Sequence, residues 1–139
     1  MLFPKKVKYR KWHTLRKNAN KTPKATRGIT VAFGSHGLKA TSAARVTSNQ
    51  IEAARKAISR AMGKTGRVWV RIFPDMPFTK KPAEVKMGKG KGDLEGYCAR
   101  IYPGQVLFEV DGAAAPVSSE ALRKGGTKMP LKTKVVARV

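Results

Sequence analysis

Thr47-Ser48-Asn49-Gln50-Ile51-Glu52-Ala53-Ala54-Arg55-Lys56-Ala57-Ile58-Ser59-Arg60-Ala61-Met62-Gly63 is the stretch that decides how the rest of the chain is read. A Thr followed three residues later by Gln is a capping box, in which each side chain takes up an amide that a helix start leaves unpaired. The spacing predicts Thr47 as N-cap and Gln50 at N3. Ile51, Ala54, Ile58, Ala61 and Met62 recur at intervals of three and four, which predicts one buried stripe on a helix reaching about Met62. Arg55, Lys56, Arg60 and Lys64 fall beside or opposite that stripe. Glu52 and Lys56 stand one turn apart and are expected to pair weakly. Gly63 and Gly66 stop the helix.

On either side of this helix the patterning changes to that of strands. Residues 29–33 alternate weakly and predict a short strand, with a turn at Gly34 and Gly37. Val68-Trp69-Val70-Arg71-Ile72-Phe73 is a β-prone run. Pro74, Pro77 and Pro82 then predict an extended connector. Residues 84–87 read as a short strand. Residues 97–102 and 106–110 read as a hairpin turning at Pro103-Gly104, and Asp111-Gly112 is the next turn. Residues 117–128 read as a second helix with Ala121 and Leu122 inward, weakened at Gly125 and Gly126 by roughly 1 kcal/mol each. Leu131, Thr133, Val135, Ala137 and Val139 alternate with Lys132, Lys134 and Arg138, with Val136 as the exception, which predicts a closing strand with its basic face outward. No internal repeat is present. The mixed order of elements predicts an α+β fold on a largely antiparallel sheet.

The chain has 139 residues, enough for one domain, and 41% of them are hydrophobic, enough for a core. Thirty Lys and Arg against eight Asp and Glu give a net charge of +22. Such a surface repels itself, and its natural partner is a polyanion, most commonly nucleic acid. A surface built only for solubility would mix the signs. No apolar run reaches the roughly 18 residues of a membrane span. The single cysteine, Cys98, excludes an internal disulfide and suits a reducing compartment. His13, His36 and Cys98 are spaced too far apart in sequence to suggest a metal site, and no cofactor is expected.

Residues 1–28 carry Lys5, Lys6, Lys8, Arg10, Lys11, His13 and Arg16 among other cations, and the first acidic residue of the chain is Glu52. They predict a basic RNA-binding arm that orders against phosphates, preceding a domain over 29–139. Pro4, Trp12 and Pro23, with no Ser in the segment, argue against a transit peptide. Phe3, Tyr9, Trp12 and Leu15 have two readings: stacking on bases, or anchoring the arm, which is preferred for at least one.

Catalysis finds little support. Gly63-Lys64-Thr65 lacks the earlier glycine of a phosphate-binding loop, since position 58 is Ile. Gly63-Lys64-Thr65-Gly66 matches a KH-type turn, but its flanks are helix then strand. Cys98 falls within a strand, where a buried inert thiol is the default. Gly88-Lys89-Gly90-Lys91-Gly92 is not a dinucleotide fingerprint. It does permit close backbone approach with mobile point charges, which suits contact with a phosphate backbone.

Met1-Leu2-x-Pro4-Lys5, Gly34-Ser35-x-Gly37-Leu38-Lys39-Ala40, Gln50-Ile51-Glu52-Ala53-Ala54-Arg55, Ile72-Phe73-Pro74-Asp75, Lys81-Pro82-x-Glu84-Val85, Met87-Gly88-Lys89-Gly90-Lys91-Gly92 and Pro130-Leu131-Lys132-Thr133 follow one another along the chain. In this order they resemble the family of bacterial large-subunit ribosomal protein sixteen, whose archaeal and eukaryotic counterpart is ten-e. The resemblance implies an α/β hammerhead fold, binding to large-subunit rRNA beside the peptidyl-transferase region, and a part in shaping the tRNA acceptor site. It implies cytoplasmic ribosomes as the location and neighbouring ribosomal proteins as further partners, with no membrane, no enzymatic activity and no homo-oligomer. The expected rRNA contacts are the seven arm residues above with Arg45, Arg55, Lys56, Arg60 and Lys64. Lys86, Met87, Gly88, Lys89, Gly90, Lys91 and Gly92 would lie close to tRNA in the acceptor and peptidyl sites. Three departures stand out. Lys86 occupies a position where the family usually has Arg. Gly125-Gly126 replaces an alanine pair, which predicts a shorter second helix. Residues 17–26 are longer and richer in Lys than the usual arm. The rival readings are a free nucleic-acid-binding protein such as an RNA chaperone, and a small hydrolase using the Gly63 turn.

Overall fold

The structure is a computed structural model that describes residues 1–14 and 18–139. Two antiparallel sheets and two helices enclose one core. The strands are β1 His36–Ala40, β2 Ala44–Thr47, β3 Arg67–Val70, β4 Met76–Lys80, β5 Asp93–Ile101, β6 Val106–Asp111 and β7 Thr133–Ala137. The helices are α1 Ser48–Met62 and α2 Ala115–Gly126. One sheet has the order β3-β6-β1-β7 and the other β2-β5-β4. All of their pairings are antiparallel.

The first helix forms as its sequence requires. The Thr47 hydroxyl accepts from the Gln50 amide, and the Gln50 side chain accepts from the Thr47 amide at 2.9 Å. Ile51, Ala54, Ile58 and Met62 are buried, and Gly63 ends the helix at φ 82°, where a side chain would be strained. Glu52 pairs with Arg55 rather than with Lys56. Three residues of spacing bring the guanidinium onto both carboxylate oxygens. That hydrogen bond holds the Glu52 carboxyl below its ordinary range. The stripe packs with Leu38, Ile101, Phe108 and Leu122, each 1% exposed or less. Full burial of side chains of this size contributes about 1.5–3 kcal/mol each.

Several expected elements lie elsewhere. Residues 97–101 and 106–110 are strands, but they do not form a hairpin. β5 belongs to the three-stranded sheet and β6 to the four-stranded one. Between them the Gly104 amide bonds to Ala40 O and the Ala40 amide to Gln105 O, so the chain at Pro103-Gly104 is captured by the end of β1 and crosses between sheets. The proline-rich connector contains β4. Pro77 is tolerated there because β4 is an edge strand, where a missing donor costs no ladder bond. Residues 84–87 form no strand, and Val85 instead closes a turn onto Pro82 O. Gly37 lies inside β1, not in a turn.

Residues 29–33 are not a strand either. They lie across the sheet, and their backbone is satisfied by a buried carboxylate. Glu109 on β6 is 0% exposed and accepts from the amides of Ala32 and Phe33 and from Arg71 Nη1 at 3.1 Å. Arg71 also donates to Thr30 O and lies over the Phe33 ring, which stacks near Trp69. Gly37 opposes Glu109 in the ladder. A Cβ there would come within 2.9 Å of Val31 Cγ2, so a bare glycine leaves room for the crossing segment.

The second helix runs Ala115–Gly126 and includes Gly125 and Gly126 as its last two residues. Both glycines are helical, and they fit the packing rather than weaken it. A Cβ on Gly125 would stand 2.4 Å from Ile58 Cγ1, and one on Gly126 would stand 2.5 Å from Thr133 Oγ1. The two helices therefore meet at a distance only glycine permits. Gly125→Ala is expected to lose about 1–3 kcal/mol through overpacking, despite alanine's better helix propensity. Urea unfolding reads this, and a gain in stability would contradict the close approach. The closing strand keeps its alternation only over residues 131–135, and Val136, half-buried beside the half-buried Val135, breaks it.

Candidate nucleic-acid interface

The candidate cations lie in the N-terminal residues, on α1, in the loop of residues 81–92 and on the β2–β5 pair. Lys5, Lys6, Lys8, Arg10, Lys11 and His13 are all exposed, and Arg16 lies outside the described residues. The chain start is seated on the body: Leu2 packs against the core, and Met1 and Leu2 border a surface cleft with Glu52, Arg55 and Ile72. Further along, Trp12 meets Arg100 of β5, whose guanidinium is 5.7 Å from the ring centroid. Of the four candidate anchors, Trp12 touches the body in this way, Phe3 and Tyr9 are exposed, and Leu15 is outside the described residues. Ala25 N donates to Pro103 O and Gly28 O accepts from Val106 N, which ties the end of the segment to the strand crossover.

The second group is on α1. Lys56 and Arg60 are exposed, and Lys64 follows the helix cap. Arg55 is partly committed to Glu52. A fork already bonded to a carboxylate offers fewer donors to a phosphate, so Arg55 is the weakest of these candidates.

The third group is the loop of residues 81–92. Its ends are held by the Lys80–Asp93 pairing of β4 with β5 rather than by strand residues at 84–87. Gly88, Lys89 and Gly90 have φ of 105°, 55° and 100°. Nothing lies within 4 Å of a Cβ built on Gly88 or Gly90, so those glycines serve the backbone turn, not a packing contact. Lys86, Met87, Lys89 and Lys91 are exposed, with Met87 93% exposed. Lys81 Nζ donates to Gly88 O, and Lys91 Nζ donates to Trp12 O. The loop therefore touches the same tryptophan as Arg100.

Arg45 sits on β2, directly opposite Arg100 on β5. Sequence reading assigned Arg45 but missed Arg100. A signal was present: Arg100 is the one charge within Tyr97-Cys98-Ala99-Arg100-Ile101-Tyr102. Its partner was hidden because the sequence reading placed no strand over residues 44–47, where β2 lies. Cys98 is buried, and burial pushes its thiol up from the ordinary value. Among the described residues no three His, Cys, Asp or Glu side chains gather as metal ligands would.

Comparison with known proteins gives a consistent picture. The description of the family "Ribosomal protein L16p/L10e" matches residues 4–136. A protein of Sphingopyxis alaskensis, named large ribosomal subunit protein uL16, is 52% identical over 139 residues, covering 100% of this chain and 94% of its own length. One of the same name from Maricaulis maris is 53% identical over 140 residues, covering 100% and 98%. A third, from Rhodopseudomonas palustris, is 52% identical over 139 residues, covering 100% and 98%.

Proposed function

Because the chain belongs to the ribosomal protein L16p/L10e family, we propose that it is a structural constituent of the large ribosomal subunit that binds rRNA and lies close to tRNA. The observation that carries this reading is full-length identity of about half to relatives named as large-subunit proteins, in a chain of net charge +22. Residues 1–28 act as the RNA-binding arm of a body formed by 29–139. Lys5, Lys6, Lys8, Arg10, Lys11, His13, Arg16, Arg45, Lys56, Arg60 and Lys64 neutralise rRNA phosphates, with Arg55 in a lesser part. Recognition is by charge and shape, because cations on a rigid body read the course of a folded RNA backbone. The deciding experiment is co-sedimentation in high salt. A subunit constituent stays with the large subunit, whereas a free RNA chaperone washes off.

Within the loop of residues 81–92, it is Lys86, Met87, Gly88, Lys89, Gly90, Lys91 and Gly92 that face tRNA in this reading. The loop's exposure and positive-φ backbone favour a role in contacting a ligand over a role in packing. Replacing Lys89 and Lys91 by Ala is expected to weaken tRNA binding about tenfold, roughly 1.4 kcal/mol, with the protein still stoichiometric in the subunit. The measurement is tRNA affinity of purified mutant ribosomes. Unchanged affinity, or loss of the protein from the subunit, assigns the loop to another partner.

A further inference from the structure

We propose that Arg45 and Arg100 form a two-guanidinium clamp for one backbone phosphate of RNA, seated in the cleft between the three-stranded sheet and residues 18–23. The inference rests on the RNA-binding reading and gives it a specific site. The two arginines are exact register partners of the antiparallel β2–β5 pair and both are exposed. Like charges directly opposite on one sheet face destabilise the pair they sit on. Nothing acidic relieves this: the three ion pairs among the described residues use Arg55, Arg71 and Arg123. Asp75 is near enough for its charge to act on Cys98 together with those of Arg45 and Arg100, yet it pairs with neither. The face is thus built with an excess of positive charge that a bound anion would cancel.

The surroundings fit a phosphate within a chain better than a free ion. The cleft has a volume of about 510 Å³ and is bordered by Arg45, Arg100, Asn18, Lys21 and Tyr102. That is far more room than one phosphate fills, and it leaves space for the flanking sugars. Lys21 adds a third cation from the opposite wall. Trp12 lies against the Arg100 guanidinium, which limits that side chain's freedom. Two planar forks fixed by neighbouring strands suit the bidentate geometry of a phosphodiester.

The test uses the full-length protein, deproteinised large-subunit rRNA and the variants Arg45→Gln, Arg100→Gln and both together. Each single variant is expected to bind about tenfold more weakly, and the slope of log affinity against log salt should fall by about one. The double variant should be little worse than either single one, because one phosphate is lost in each case. Free Arg45→Gln protein should melt about 1–3 °C higher than wild type, since repulsion is relieved. A merely structural arginine would give a lower melting temperature. Additive losses in the double variant, or unchanged binding by all variants while wild type binds, overturn the clamp alone. Wild type that fails to bind rRNA sinks the RNA reading and the clamp with it. If millimolar inorganic phosphate raises the melting temperature and the variants bind RNA as wild type does, the site holds a free anion and the RNA assignment is wrong.

Discussion

Glu109→Ala is expected to cost about 3–5 kcal/mol of folding stability, the largest effect of any single substitution considered for this protein. Glu109 is the acceptor for two backbone amides and one guanidinium in a fully buried position. Its removal leaves Arg71 without a counter-charge and orphans the amides of Ala32 and Phe33. Domains of this size have a total of about 5–15 kcal/mol, so the loss is a large share of the whole. Urea denaturation with an unchanged slope measures it. Amide exchange at residues 30–35 should rise first, because the crossing segment depends on that carboxylate. The double variant Glu109→Leu with Arg71→Met should recover only the part of the loss due to the unpaired guanidinium, since the amides of Ala32 and Phe33 still lack their acceptor. A single-variant cost under about 1 kcal/mol would show that water satisfies these groups in the absence of the carboxylate.

The second large effect concerns ionic strength. If the arm, α1 and the sheet face neutralise on the order of six to ten phosphates, rRNA affinity should fall about 10³ to 10⁵-fold between 50 and 200 mM salt. The physical reason is counterion release, which scales with the number of phosphates contacted and not with the sequence read. The six described cationic candidates of the N-terminal segment are all exposed, and none of the ion pairs among the described residues involves them. They are therefore available for such contacts. Filter binding across a salt series is sufficient. An affinity that barely changes would mean that apolar or base-specific contacts dominate instead.

Local signals decided α1 almost to the residue, because a capping box, an apolar stripe and a stop glycine all act within a few residues of themselves. The same holds for the glycine-lysine loop and for the inward faces of Ala121 and Leu122. Charge, which is a sum over the chain, pointed to a polyanion without reference to any fold. The α+β class followed from the alternation of patterns. What the sequence left open depended on partners distant along the chain. Residues 97–110 carry the signals of a hairpin, yet the end of β1 takes their turn and sends the two strands to different sheets. Residues 29–33 alternate like a strand, but a carboxylate some 77 residues away captures their amides. Gly125 costs helix propensity locally, and only the approach of Ile58 shows why a glycine fits there. Arg45 and Arg100 are unremarkable singly. Strand register places them opposite one another, because pairing between strands is a long-range choice made by the core as a whole.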